Sequence, residues 1–102
     1  MITELVLFDL PAGMTRPEFL ERYWALAPRW QDHPGLLRRN VLFDPQSRQG
    51  GGMYLWSDGA YADRWHDGDW RRRMLDAWGS EPTVRRFETP MVVDHQTEDS
   101  FE

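Results

Sequence analysis

His66 is followed directly by Asp67, Gly68 and Asp69. An imidazole titrates near neutrality, so His66 is the candidate general base, and Asp67 or Asp69 is close enough in sequence to orient its ring. A solvent-exposed histidine at a helix end is the plainer alternative. The same residues suggest half of a metal site, but no second cluster stands at ligand spacing, so no metal is expected. Asn40 is the second candidate catalytic residue. It shares a strand face with Arg38 and Leu42, and a half-buried amide there needs partners that a ligand carbonyl could supply; the alternative is an edge-strand Asn facing solvent. Tyr23, Tyr54, Trp56 and Trp65 each join an apolar body to a polar tip, which suits either pocket lining with hydrogen bonds to a substrate or ordinary core and interface packing. Arg38 and Arg39 sit mid-strand and point to opposite faces, so one of them can enter a cavity and pair with an acidic substrate. Arg38 is assigned that contact; an inter-subunit ion pair or a guarded sheet edge is the alternative. Arg71-Arg72-Arg73 cannot share one helical face and reads as solvated surface or, less simply, an anion site. His33 and His95 fall in loop and tail sequence and are set aside.

These residues need a frame. Ile2 to Leu10 is a strand apolar on both faces, with Val6 and Phe8 on one and Leu5 and Leu7 on the other, so it belongs inside a sheet. Thr15-Arg16-Pro17-Glu18 is a capping box that opens a helix. Its buried stripe is Phe19, Tyr23, Leu26, Ala27 and Trp30, with a kink or end expected near Pro28. Gly35 to Trp56 reads as a β-hairpin: Pro45 suits its turn, and Gly50 to Gly52 allow backbone angles closed to other residues. Ser57 or Asp58 can cap a second helix bearing Tyr61 and Trp65; Gly68 interrupts it, Asp67 or Asp69 recaps a segment bearing Trp70, Met74 and Trp78, and Gly79 closes it. Val84 to Phe87 and Met91 to Val93 form a fourth strand broken by Pro90, hence an edge strand or a bulge. The order β-α-β-β-α-β predicts an α+β ferredoxin-like unit, a four-stranded antiparallel sheet with its helices on one face.

The whole chain sets the bounds. Its 102 residues make one domain, taken as 1–95, with 96–102 as a loose acidic tail unless Phe101 docks. Six Trp, five Phe and three Tyr in a sequence of mean hydropathy −0.72 imply an aromatic-rich core. The absence of cysteine excludes disulfides, thiol catalysis and thiolate metal sites. A net charge of −5 argues against nucleic acid as a partner, and no apolar run is long enough to span a membrane. With no charged-then-apolar leader at its start, a soluble cytoplasmic protein is expected. Both sheet faces carry apolar residues and the helices cover only one, so the other face is expected to meet a second copy of the chain in a homodimer.

Gly35-Leu36-Leu37, the proline-containing turn and Gly51-Gly52-Met53-Tyr54-Leu55-Trp56 together resemble the YdhR-like family of mono-oxygenases in the dimeric α+β-barrel superfamily. The resemblance runs from the first strand to about Asp94. It implies a barrel formed by two copies packing sheet to sheet, and an oxygenase that uses no metal or organic cofactor. In such a reaction an acidic phenol or anthrone-type substrate binds between sheet and helices, loses a proton and passes an electron to oxygen. Asn40, Tyr54, Trp56, Trp65 and Tyr23 are then the candidate donors to the substrate oxygen, with His66 as the base. An aromatic residue is common in the family around the position of Arg38, so this sequence departs there; no catalytic residue is carried over from the family. Similar barrels also host isomerases, haem-degrading enzymes and proteins that only bind ligands. A non-catalytic small-molecule-binding homodimer is therefore the alternative, favoured by a pocket of packed aromatics without an ionisable group. Haem binding would require a pocket-facing histidine.

Overall fold

The computed structural model describes residues 1–26, 33–95 and 99–101. Strand β1 (Ile2–Asp9) lies at the centre of a sheet, and helix α1 (Arg16–Leu26) follows. The expected capping box is made: the Thr15 amide donates to Glu18 Oε1 at 3.1 Å and the Glu18 amide to Thr15 Oγ1 at 3.3 Å. The Pro28 kink and the place of Ala27 and Trp30 on the stripe lie outside the described residues. Strands β2 (Leu36–Asp44) and β3 (Gln49–Trp56) form the hairpin. Two short helices come next, α2 (Gly59–Trp65) and α3 (Gly68–Trp78), then β4 (Thr83–Glu88). Asp58 caps α2 by accepting from the Ala60 amide, Asp67 caps α3 by accepting from the Trp70 amide, and Gly79 ends α3 in the left-handed region.

The sheet order is β2-β3-β1-β4, with β1 antiparallel to both β3 and β4. This is the ferredoxin-like α+β arrangement. Residues paired directly across strands share a face, which sorts the sheet. Val6, Phe8, Tyr54 and Trp56 are buried on the helix side, in two aromatic clusters. One gathers Val6, Tyr54, Trp56 and Ala62; the other gathers Phe8, Phe19, Tyr23 and Trp78. Leu5, Met53, Asn40 and Arg85 occupy one row of the opposite face, and Thr3, Leu55 and Phe87 another. Met53 and Phe87 are exposed there.

Two local expectations change. Gly50 to Gly52 are within β3 and have ordinary extended backbone; the turn residue with positive φ is Arg48. The glycines are needed for closeness. A Cβ on Gly51 would stand 1.8 Å from the Val6 carbonyl oxygen, and one on Gly52 would meet the Tyr54 ring at 2.9 Å. Met91 to Val93 does not continue the fourth strand past Pro90: β5 (Val92–Asp94) leaves the main sheet and pairs with β6 (Asp99–Phe101). Part of the expected loose tail is thus a small hairpin.

Candidate active site

A cleft opens at the seam between the two aromatic clusters. Tyr23, Met74 and Trp78 line it from one side, Tyr54, Trp65 and Trp70 from the other, and the Tyr23 and Tyr54 hydroxyls meet across it at 3.2 Å. Leu26, His33, Arg39, His66 and Arg73 complete the lining. The enclosed space is about 80 Å³ and open on one side, less than the ~150 Å³ cavity that takes up benzene.

His66 is the C-cap of α2, yet its side chain is only 5% exposed. Its ring packs edge-on against Tyr54 at 4.6 Å and tilts over Trp70 at 4.2 Å. The partner of its Nδ1 is Glu4 Oε1 at 2.6 Å. Neither Asp67 nor Asp69 orients it, because Asp67 caps α3 and Asp69 lies 3.8 Å from Arg72. A carboxylate only accepts, so the hydrogen sits on Nδ1 and Nε2 is left with a free lone pair in the neutral ring. Glu4 is fully buried and has three donors: His66, the Trp56 indole at 2.9 Å on the same oxygen, and Arg86 Nε at 2.7 Å on the other. Burial pushes the Glu4 carboxyl up, but the hydrogen bonds and charge of His66 and Arg86 outweigh it and hold it below the ordinary carboxylate value. Arg86 is anchored in turn by Asp63.

On the other flank Arg39 lies over both phenol rings, 4.9 Å from Tyr23 and 4.8 Å from Tyr54, and donates to the Tyr23 hydroxyl. Burial, with Tyr23 beside it, pushes the Tyr54 hydroxyl well above its ordinary pKa, so Tyr54 stays a neutral phenol able to donate. Trp65 stacks on His33 at 4.2 Å, and its Nε1 is buried without a hydrogen-bond partner among the described residues. That leaves a donor for a ligand oxygen.

Of the residues singled out in the sequence, Tyr23, Tyr54, Trp65 and His66 meet in this cleft. Asn40, Arg38 and Trp56 do not line it. Asn40 and Arg38 pair with Met53 and Leu55 on the opposite sheet face, and Arg38 lies 3.4 Å from Asp94. The arginine turned into the cavity is Arg39. Trp56 is fully buried behind Tyr54, parallel to it at 5.9 Å, and serves Glu4. His33, set aside as a loop residue, is buried in the lining, whereas His95 is exposed. Within the arginine run, Arg71 donates to the Pro82 carbonyl and only Arg73 reaches the cleft. Glu4 was missed, although alternation places it on the face of Val6 and Phe8.

No protein-family model matches this sequence, and comparison with curated proteins gives no match. A solved structure does, named "putative antibiotic biosynthesis monooxygenase from Deinococcus radiodurans". It is 13% identical, with a TM-score of 0.63 over 87% of this chain and 92% of that one. The two share the fold, a four-stranded antiparallel sheet with helices packed on it. At this identity the likeness concerns architecture, and the chemistry rests on the residues of the cleft. Among the described residues no helix is long and apolar enough to cross a membrane, and no three His, Cys, Asp or Glu side chains form a group suited to a metal ion.

Proposed function

We propose that this chain is a cofactor-independent mono-oxygenase of a small aromatic or polyketide-like compound, working as a homodimer. The observation that supports it best is the His66–Glu4 pair beside an aromatic cleft. A purely binding pocket needs only packed aromatics; this one holds an oriented base and a cation. His66 Nε2 takes a proton from an acidic C–H of the substrate, with Tyr54 and the Trp65 indole as donors to the oxygen on which charge develops. The carbanion gives one electron to O2, the resulting radical and superoxide combine, and the peroxide anion so formed takes back the proton held by His66. Loss of water from that hydroperoxide turns a CH2 into C=O, so one O2 yields one carbonyl and one water. The apolar walls keep bulk water from the anion. The YdhR-like hairpin and the fold of the Deinococcus radiodurans structure agree with this reading. Met53 and Phe87, exposed on the helix-free face, suit a sheet-to-sheet dimer.

The test is oxygen uptake by purified protein, with chelator present, against anthrones, hydroquinones and related acidic phenols. Protein-dependent uptake that disappears in His66→Gln is expected; uptake unchanged in that variant would remove His66 as the base. Because His33 and His66 both line the cleft, haem is titrated alongside. A shifted Soret band would favour the haem-binding relatives of this fold.

A further inference from the structure

Four residues stand abreast on the helix side of the sheet. Register pairs Arg39 with Tyr54, Tyr54 with Glu4, and Glu4 with Arg86, so one row crosses β2, β3, β1 and β4. The row begins at the cleft, which Arg39 and Tyr54 line, and ends on an edge strand at Arg86. A guanidinium carries its donors in a planar fork and can serve two carboxylates at once. Arg86 does so: Nε donates to Glu4 Oε2 at 2.7 Å, and Nη1 donates to Asp63 Oδ1. Asp63 lies on α2 three residues before His66, whose Nδ1 is bound to the other oxygen of Glu4. His66, Glu4, Arg86 and Asp63 thus form a ring that the backbone of α2 closes.

The ring matters because α2 is short. It has seven residues, and isolated helices of fewer than ~12–15 residues are marginal in water, so contacts with the sheet must hold it in place. We infer that Arg86 is a positioning residue for His66. With Asp63 as its outer anchor it clamps α2 to β4, and from the far side of Glu4 it holds the carboxylate that keeps Nδ1 of the imidazole bound and leaves Nε2 available. The inference rests on His66 being the base of the function proposed above. It adds two residues, Arg86 and Asp63, that set the geometry of that base from the surface of the molecule, where their side chains are 38% and 68% exposed.

Ring-nitrogen NMR shifts of protein carrying isotope-labelled histidine read this without substrate, the His66 signals being identified by their loss in His66→Gln. The wild-type ring is expected as a single form with its hydrogen on Nδ1. Arg86→Met is expected to lose that single form, because the buried Glu4 carboxylate is left short of a charge partner. Asp63→Ala is the second variant, since an exposed ion pair adds little to stability and its loss does not prevent folding. It should shift the same signals and lower kcat for oxygen uptake roughly tenfold at unchanged KM, less than the ~10²-fold that a 1 Å misplacement can cost. Arg72→Met, which breaks an exposed pair on α3, should change neither. His66 signals that stay as in the wild type in Asp63→Ala, or in a folded Arg86→Met, would overturn the clamp. The expected shifts without oxygen uptake across the panel would sustain the clamp and count against the oxygenase reading, whereas uptake lost in His66→Gln with unmoved signals would do the reverse.

Discussion

The Glu4 carboxylate sets what His66 can do, and its own state is set by position. Ionised and paired with His66 and Arg86, it fixes the imidazole with Nδ1 inward. Glu4→Gln should therefore lower oxygen uptake by about 10²-fold while His66→Gln lowers it by about 10²–10⁴-fold. Rescue of the first by Glu4→Asp, read as a rise in kcat at unchanged KM, would separate positioning from folding. Breaking a buried pair leaves its partner uncompensated, so Glu4→Gln should also cost about 3 kcal/mol in urea unfolding at neutral pH. The depressed Glu4 pKa fixes the sign of the pH dependence. Its stabilisation is complete above the ordinary value of 4.5 and is lost as pH falls through the lower folded-state value. The stability gap between wild type and Glu4→Gln should accordingly be constant near neutrality and close in acid. Little of this was legible in the sequence. A glutamate among Ile2, Thr3 and Leu5 reads as a solvent-facing residue, because ionised side chains are almost never fully buried unless paired. Its partners lie on β3, at the end of α2 and on β4, and only tertiary structure brings them together.

Elements were more legible than the site. Capping and breaking residues act locally, so Thr15 with Glu18, Asp58, Asp67 and Gly79 marked helix ends that the fold keeps. The glycine run was misread because local sequence does not show what lies across a strand. Gly51 has no room for a methyl group against the Val6 carbonyl. Gly51→Ala should cost about 3 kcal/mol by forcing β1 and β3 apart, read as a fall in the urea midpoint. A change near zero would mean that the strands can separate freely. Likewise the choice between Arg38 and Arg39 depended on which face of β2 meets the helices, and the irregularity between Leu36 and Arg38 falls where that register is set.

At the scale of the molecule, one sheet face is under helices while the other shows Met53 and Phe87 to solvent. Light scattering should give a mass near twice the 12.1 kDa of one chain. Met53→Asp should halve it by placing a charge in an apolar contact. A wild-type mass of one chain would contradict the dimer. The two-sided apolar pattern of β1 and β3 was readable from the sequence, since central strands lack the alternation of half-wet ones. The departure of β5 to pair with β6 was not, because three-residue strands leave too short a pattern.

The Glu4 hub also sets a limit on improving this protein. One carboxylate ties β1 to β3, α2 and β4, and the same oxygen that holds Trp56 aims His66. Replacing buried ion pairs with well-packed apolar residues is a common route to higher stability. Followed here, it would yield a sturdier fold whose imidazole had lost its bearing. Variants selected for heat resistance alone should drift toward inert proteins at this position, whereas selection for turnover should keep the acid at the expense of some stability.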